Sequence, residues 1–291
     1  MGGQGVTEES DEVLTRVDGG VGLITLNRPK AINSLNQSMV DALRAVLTRW
    51  EGDDTVRAVV LSGAGERGLC AGGDVVAVYH SARKDGVEVR RFWRDEYLLD
   101  GQIGRFPKPY VSLMDGIVMG GGVGVSAHGS VRVVTETSKV AMPEVGIGFI
   151  PDVGGAFLLS RAPGGLGLHA ALTGAPFSGA DAIAMGFADH YMPHSELDAF
   201  TAAVIANGVE SEPAVRVFVM GGGSGMRTKR AGSITAAAGA MPLPGRCRRP
   251  NGRRSICRPT IASAGRSRHP LRRRSPFAST RIIRCRRLAG R

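Results

Sequence analysis

The feature that most restricts what this chain can fold into is an abrupt change of charge near residue 220. Residues 221–291 hold 18 arginines, one lysine and no acidic residue, with Phe277 as their single aromatic side chain. No period of 2 or 3.6 runs through them, and Arg, Pro, Gly, Ser and Ala dominate. Such a segment cannot bury enough apolar surface to offset its ordering entropy, so disorder is expected. Of 37 basic and 26 acidic residues in the chain, 18 basic and all 26 acidic ones precede the break, so the overall +11 conceals a leading part near −8. The pattern fails from about Pro213, which divides the chain into a foldable core, residues 1–212, and an Arg-rich low-complexity tail, residues 213–291. Those arginines suit non-specific contact with the phosphates of nucleic acid, but the interleaved aromatics of a recognition module are missing. An out-of-frame reading of GC-rich coding DNA would produce the same composition.

The leading part is a different kind of sequence. The hydrophobic content of the whole chain, 43%, supports a proper core. No apolar run reaches the roughly 18 residues of a membrane span, so no membrane partner is expected. The start, MGGQGVTEESDEV, is acidic and lacks a signal pattern, which makes the cytoplasm the expected compartment. Cys70, Cys247, Cys257 and Cys285 are too few and too irregular for a disulfide framework, and no CxxC pair suggests zinc.

Local patterns place the elements. Residues 13–26 read as two strands about the Asp18-Gly19-Gly20 turn. Asn36 caps a helix whose Met39, Leu43, Val46, Leu47 and Trp50 share one face. A strand over 56–61 precedes Gly72-Gly73-Asp74, and one over 110–118 precedes Gly120-Gly121-Gly122 and a helix. Residues 75–105 form helices that place Phe92, Trp93, Tyr97, Leu98 and Leu99 over the core, and strands are expected over 131–135 and 139–142. Helices near 170–174, after Ser178 and over 197–206 complete the ordered part. Strand, helix and glycine turn in repetition argue for a layered α/β arrangement.

Two glycine clusters and two isolated carboxylates carry the chemistry. An oxyanion hole needs two backbone N–H groups aimed at one point, and glycines let a carbonyl oxygen come that close. The turns at Gly72-Gly73 and Gly120-Gly121-Gly122 are two such places, and ordinary tight turns are the bland alternative. Glu144, among apolar neighbours in Ala141-Met142-Pro143-Glu144-Val145, is expected to have a raised pKa and to suit a base or nucleophile. The bland alternatives are a solvated strand end for Glu144 and a helix N-cap for Asp152. Gly122-x-Gly124-x-x-Ala127 fits only loosely the dinucleotide fingerprint, and a phosphate-binding GxxxxGK[ST] loop is missing. His80, His128, His169, His190 and His194 lack partners at metal spacing, so structural or surface roles are expected and no metal. Cys70 reads as a small buried residue without an activating His.

These residues resemble the crotonase (enoyl-CoA hydratase/isomerase) superfamily, and within it the 3-hydroxyisobutyryl-CoA hydrolase branch. The resemblance runs from about Val13 to about Phe200. It rests on Asn27-Arg28-Pro29-Lys30-Ala31-Ile32-Asn33-Ser34-Leu35, Cys70-Ala71-Gly72-Gly73-Asp74 and Met119-Gly120-Gly121-Gly122 in that order. It implies a crotonase-like spiral of ββα units that assembles into trimers or hexamers, with the N–H groups of Gly73 and Gly121 as oxyanion hole. Hydratases of the superfamily carry one Glu where this chain has Gly124 and another at Glu144. The hydrolase branch pairs the latter with an Asp, here Asp152 of the Pro151-Asp152-Val153-Gly154-Gly155 motif, and shares Glu96-Tyr97 and Lys108-Pro109-Tyr110. The implied reaction is hydrolysis of a β-hydroxyacyl-CoA thioester, 3-hydroxyisobutyryl-CoA of valine catabolism foremost. Glu144 would be nucleophile or base, Asp152 an orienting group, and Glu96 and Gly121 contacts to the acyl group. No cofactor is implied, since coenzyme A is part of the substrate. The alternatives are enoyl-CoA hydratase/isomerase activity, or an inactive product whose basic tail adheres to nucleic acid. Family members continue into further helices that close the acyl pocket, and residues 213–291 do not resemble them.

Overall fold

The computed structural model describes residues 11–207. The boundary drawn at 212/213, and the expected disorder, nucleic-acid contact or out-of-frame origin of the tail, lie outside the described residues.

The chain opens with the expected hairpin of β1 (Val13–Asp18) and β2 (Val21–Leu26). Gly19 (φ +55°) and Gly20 (φ +79°) form its turn, and two successive positive φ angles are what a tight two-residue hairpin demands. Helix α1 (Gln37–Glu51) starts where Asn36 Oδ1 accepts the Met39 N–H at 2.9 Å, and buries Met39, Val40, Leu43, Val46, Leu47 and Trp50. Next come β3 (Ala58–Gly63), α2 (Val75–Arg83), α3 (Val87–Ile103), β4 (Tyr110–Met114), β5 (Ile117–Met119) and α4 (Gly121–Ala127). The remainder comprises β6 (Val131–Val134), β7 (Lys139–Ala141), α5 (Gly155–Leu159), α6 (Leu166–Thr173), β8 (Phe177–Ser178), α7 (Gly179–Ala184), β9 (His190–Tyr191) and α8 (Leu197–Asn207).

One sheet has six strands in the order β1-β2-β3-β4-β6-β9, parallel apart from β1; a second has three, β5-β7-β8. The inner strands β3 and β4 are almost wholly buried, as parallel strands covered on both faces must be. Val59, Leu61, Met114 and Val134 join α1 and α4 in the main core, while Val60, Val111, Leu113 and Val133 pack with Phe200 and Val204 of α8. Among the described residues, no helix is long and apolar enough to cross a membrane.

Two expectations need correction. The apolar run 110–118 is not one strand but two, β4 in the large sheet and β5 in the small one. The chain turns between them at Gly116 (φ +58°), where an added Cβ would stand 2.7 Å from Gly68 Cα. On α3, Phe92 and Leu99 are buried as expected, but Tyr97 and Leu98 are about half exposed. The inward face instead carries Asp95, Glu96 and Asp100, since the stripe through Phe92, Leu99 and Ile103 passes through position 96.

Gly116→Ala is therefore expected to cost about 1–3 kcal/mol, from the positive φ and from contact with backbone that cannot rotate away. Urea unfolding checks this, and a midpoint equal to the parent's would contradict it.

Candidate active site

The two glycine turns are stitched together by main chain. Cys70 N–H donates to Ile117 O at 3.1 Å and Met119 N–H to Cys70 O at 3.0 Å, so residues 68–72 run beside β5. On the other flank, Leu35 N–H donates to Gly72 O and Asp74 N–H to Leu35 O, both at 2.8 Å. The residues Asn27–Leu35 serve as a brace for this turn. Asn33 is buried at φ +54°, and its Nδ2 donates to Ala64 O at 3.0 Å and Gly68 O at 3.1 Å. Arg28 pairs with Asp74 at 3.1 Å, and Asp74 in turn caps α2 by accepting from the Val76 and Ala77 N–H groups.

This frame brings the predicted oxyanion pair into contact. A Cβ placed on Gly121 would lie 3.3 Å from Gly73 N, and one on Gly72 would lie 3.6 Å from Gly121 N. Among the described residues, neither the Gly73 nor the Gly121 N–H is donated to an acceptor. Two unspent donors side by side, in a place glycine keeps free of side chains, form a geometry that can take a carbonyl oxygen.

The predicted carboxylates gather at the same spot. Glu96 of α3 is 2% exposed, and its Oε1 lies 2.6 Å from where a Gly121 Cβ would be. Glu144 opens a 3-10 turn (Glu144–Ile147), is 7% exposed, and its Oε1 is 2.9 Å from the corresponding point on Gly120. Asp152 is half-buried in the loop before α5. The bland readings are thus not met: Glu144 is enclosed, and Gly154, not Asp152, stands at the N-cap of α5. Val153 is held at φ +45°, a region rare for a β-branched residue, and its carbonyl accepts from His128 Nε2 at 2.8 Å. That carbonyl contact is structural, which accords with the expectation for His128; His194 pairs with Asp115 at 2.9 Å.

Burial sets the electrostatics. It pushes Glu96 up to about 8, with the charges of Asp152 and Glu144 adding to the effect. It pushes Glu144 up to about 7, opposed by a hydrogen bond from its own amide and assisted by Asp152. Asp152 is raised by burial, less its own amide bond. Cys70 is fully buried, and burial raises its thiol to about 12, which removes it as a nucleophile.

Sequence reasoning missed Asp100. It is 5% exposed, both its carboxyl oxygens lack a partner among the described residues, and burial followed by the charges of Glu96 and Asp152 raises its pKa well above normal. The available signal was its place four residues after Glu96, one turn along the same face. Its Oδ1 lies 2.7 Å from a Cβ built on Gly124, so this fold has no room for a glutamate at 124 without moving Asp100. Conversely, Lys108-Pro109-Tyr110 is structural: Lys108 Nζ ties to Trp50 O and Asp53 O, and the buried Tyr110 hydroxyl donates to Val125 O. A cleft of about 480 Å³ lined by Leu35, Gln37, Asp74, Val78, Arg91 and Phe92 adjoins Gly73, whose Cβ position is 3.2 Å from the Phe92 ring. A larger cavity of about 710 Å³ lies at Arg67, Lys139 and Phe177; none of the four carboxylates lines either space, and only the smaller one adjoins Gly73.

A two-sheet spiral with paired glycine amides facing carboxylates belongs to a known class: residues 21–218 match the enoyl-CoA hydratase/isomerase family, and the chain is a member of it. It is 44% identical over 192 residues to the mitochondrial 3-hydroxyisobutyryl-CoA hydrolase of Danio rerio, covering 66% of this chain and 50% of that one. The Homo sapiens protein of that name is 42% identical over 191 residues, covering 66% of this chain and 50% of that one. The chain thus spans about half the length of these relatives. Among solved structures, a carnitinyl-CoA dehydratase from Mycobacterium thermoresistibile is 72% identical with a TM-score of 0.70, over 72% of this chain and 61% of that one. An enoyl-CoA hydratase from Rhodobacter sphaeroides is 40% identical with a TM-score of 0.67, over 74% and 67%.

A group whose folded pKa is raised stabilises the fold less as pH climbs toward that pKa. The stability of the parent relative to Glu96→Gln is expected to fall as pH rises from about 4.5 to about 8. The difference isolates Glu96 from His128, whose burial-lowered pKa works in the opposite sense below 6.5. Urea titrations at pH 5, 6.5 and 8 on both proteins would show it, and a flat difference would refute the assignment.

Proposed function

We propose that this protein hydrolyses a β-hydroxyacyl-CoA thioester, with 3-hydroxyisobutyryl-CoA as the leading substrate. One observation carries the reading: Glu144 lies against the Gly120–Gly121 turn with the half-buried Asp152 near enough for its charge to act on it, while the space beside 124, where a hydratase has its first glutamate, is taken by the carboxyl of Asp100. The hydrolase-named relatives support the same choice.

In the proposed reaction the thioester carbonyl oxygen accepts from Gly73 and Gly121 N–H, which stabilise its negative charge as the carbonyl carbon becomes tetrahedral. Ionised Glu144 either attacks that carbon or takes a proton from an attacking water. The C–S bond breaks, the sulfur leaves as thiolate, and water supplies the acid's oxygen and the proton that forms the CoA thiol. Asp152 orients the attacking group, and Glu96 faces the acyl substituent. Hydrolysis transfers no electrons, so the reaction as written calls on no redox cofactor.

Hydratase or dehydratase chemistry is the second reading, favoured by the 72% identity to a protein named as a carnitinyl-CoA dehydratase. The two separate cleanly, because hydrolysis releases free thiol whereas hydration removes enoyl-thioester absorbance without releasing any. With 3-hydroxyisobutyryl-CoA, thiol release is expected to drop about 100- to 10,000-fold in Glu144→Gln; equal turnover in the variant would sink the hydrolase reading. The rate is also expected to rise with pH through about 7, as Glu144 loses its proton.

Assembly into trimers or hexamers is proposed on a surface where Ile147, Ile150, Phe157, Leu168 and Leu172 are all more than half exposed. Sedimentation velocity of the whole chain is expected to give a species of at least three subunits. A monomer across the micromolar range would refute the assembly without touching the chemistry.

A further inference from the structure

Helices α3 and α4 face each other, and their contact repeats itself. Glu96 Oε1 occupies the space beside Gly121, and one turn along both helices Asp100 Oδ1 occupies the space beside Gly124; a Cβ at either glycine would stand 2.6 or 2.7 Å from the facing carboxyl oxygen. A helix turn advances about 5.4 Å, so the Asp100 level lies roughly that far from the amide that would hold the reacting carbonyl. The β-carbon of an acyl chain and its substituent reach this depth. Three buried oxygens at this contact have no partner among the described residues: Glu96 Oε1, Asp100 Oδ1 and Asp100 Oδ2. A third acid of the same helix shows the contrast. Asp95 is equally buried, yet Arg94, Gln37 and Arg91 satisfy it.

We propose that Asp100 is a specificity-determining residue that, together with Glu96, selects an acyl chain bearing a hydroxyl on the carbon beyond the α-carbon. Two carboxyls buried this close cannot both be charged, so one retains its proton and the pair offers one donor and one acceptor. A hydroxyl is the small neutral group that accepts from the first and donates to the second. A methyl group there would leave both acids unsatisfied, a ketone would accept only, and a carboxylate would be repelled. Val153, whose Cβ lies 2.8 Å from the Gly124 position, closes the far side. The inference rests on the acyl-CoA reading above and adds the residue and the chemistry that distinguish one acyl chain from another.

The test compares 3-hydroxyisobutyryl-CoA with isobutyryl-CoA, which has the same skeleton without the hydroxyl, in the whole protein and in Asp100→Leu and Asp100→Asn. The preference for the hydroxylated thioester in kcat/KM is expected to fall about 10- to 100-fold in Asp100→Leu and to be largely retained in Asp100→Asn, which keeps a donor and an acceptor. The Tm of Asp100→Leu is expected to equal or exceed the parent's, since an unsatisfied buried acid has been removed. An unchanged preference, or a proportional loss on both thioesters with a lowered Tm, would mark Asp100 as merely structural. If the parent cleaves neither thioester, the hydrolase reading has failed on its own. Calorimetric binding of the same two thioesters then decides the role of Asp100: a difference in the parent that vanishes in Asp100→Leu supports it, and equal affinities in both proteins overturn it.

Discussion

Carboxyl groups pressed against glycines, away from water, are the constraint on which the rest of this structure depends. An unsatisfied buried acid opposes folding, and ionising it would oppose folding far more. The fold answers by holding Glu96 and Asp100 so close that at least one of them keeps its proton, as their raised pKa values reflect. The arrangement has a strict requirement on the other side of the seam. A side chain at Gly121 or Gly124 would displace the facing acid, because the carboxyl oxygens stand 2.6 and 2.7 Å from where Cβ atoms would be. Acids on α3 and glycines on α4 are therefore one feature seen from two helices.

Everything around that seam serves to keep it in place. The brace of Arg28 and Asn33 holds the Gly68–Asp74 turn, and main-chain bonds from Cys70 fasten the turn to β5. Beyond the site, His128 fastens Val153 in its unusual conformation and so sets the direction in which the chain presents Asp152. Backbone held at such an angle persists only where its surroundings over-determine it. The large sheet contributes the stiffness, since β3 and β4 are enclosed on both faces, while β5 of the small sheet leads directly into the Gly120–Gly122 turn and pairs with the Gly68–Gly72 segment.

The relatives share this scaffold under different names, a hydrolase in one set and dehydratase or hydratase in another. A common fold does not imply a common reaction; the chemistry lies in which positions carry the acids. In this chain Glu96, Asp100 and Glu144 are buried and Asp152 is half-buried. On the proposed reading, it is this distribution rather than overall similarity that favours thioester cleavage over addition of water to a double bond.

Much of this was legible in the residues themselves. The hairpin glycines, the Asn36 cap and the apolar stripe of α1 declared their elements through short-range rules, and the order of the motifs pointed to the class and to Gly73, Gly121, Glu96, Glu144 and Asp152. Local rules failed where the deciding contact was distant in the chain. Nothing within the run 110–118 says that Gly116 must bend, because the reason is Gly68. Nothing near Asp100 marks it as buried, because its burial is made by Gly124 and Val153, and a carboxylate on a helix ordinarily faces water. The sequence by itself determined most of the elements, which follow from side chains a few residues apart, and through the order of its motifs the family that the chain resembles. The tertiary structure alone decided which acids lie beside the paired amides and which are cut off from solvent, because burial and pKa depend on neighbours that only folding brings together.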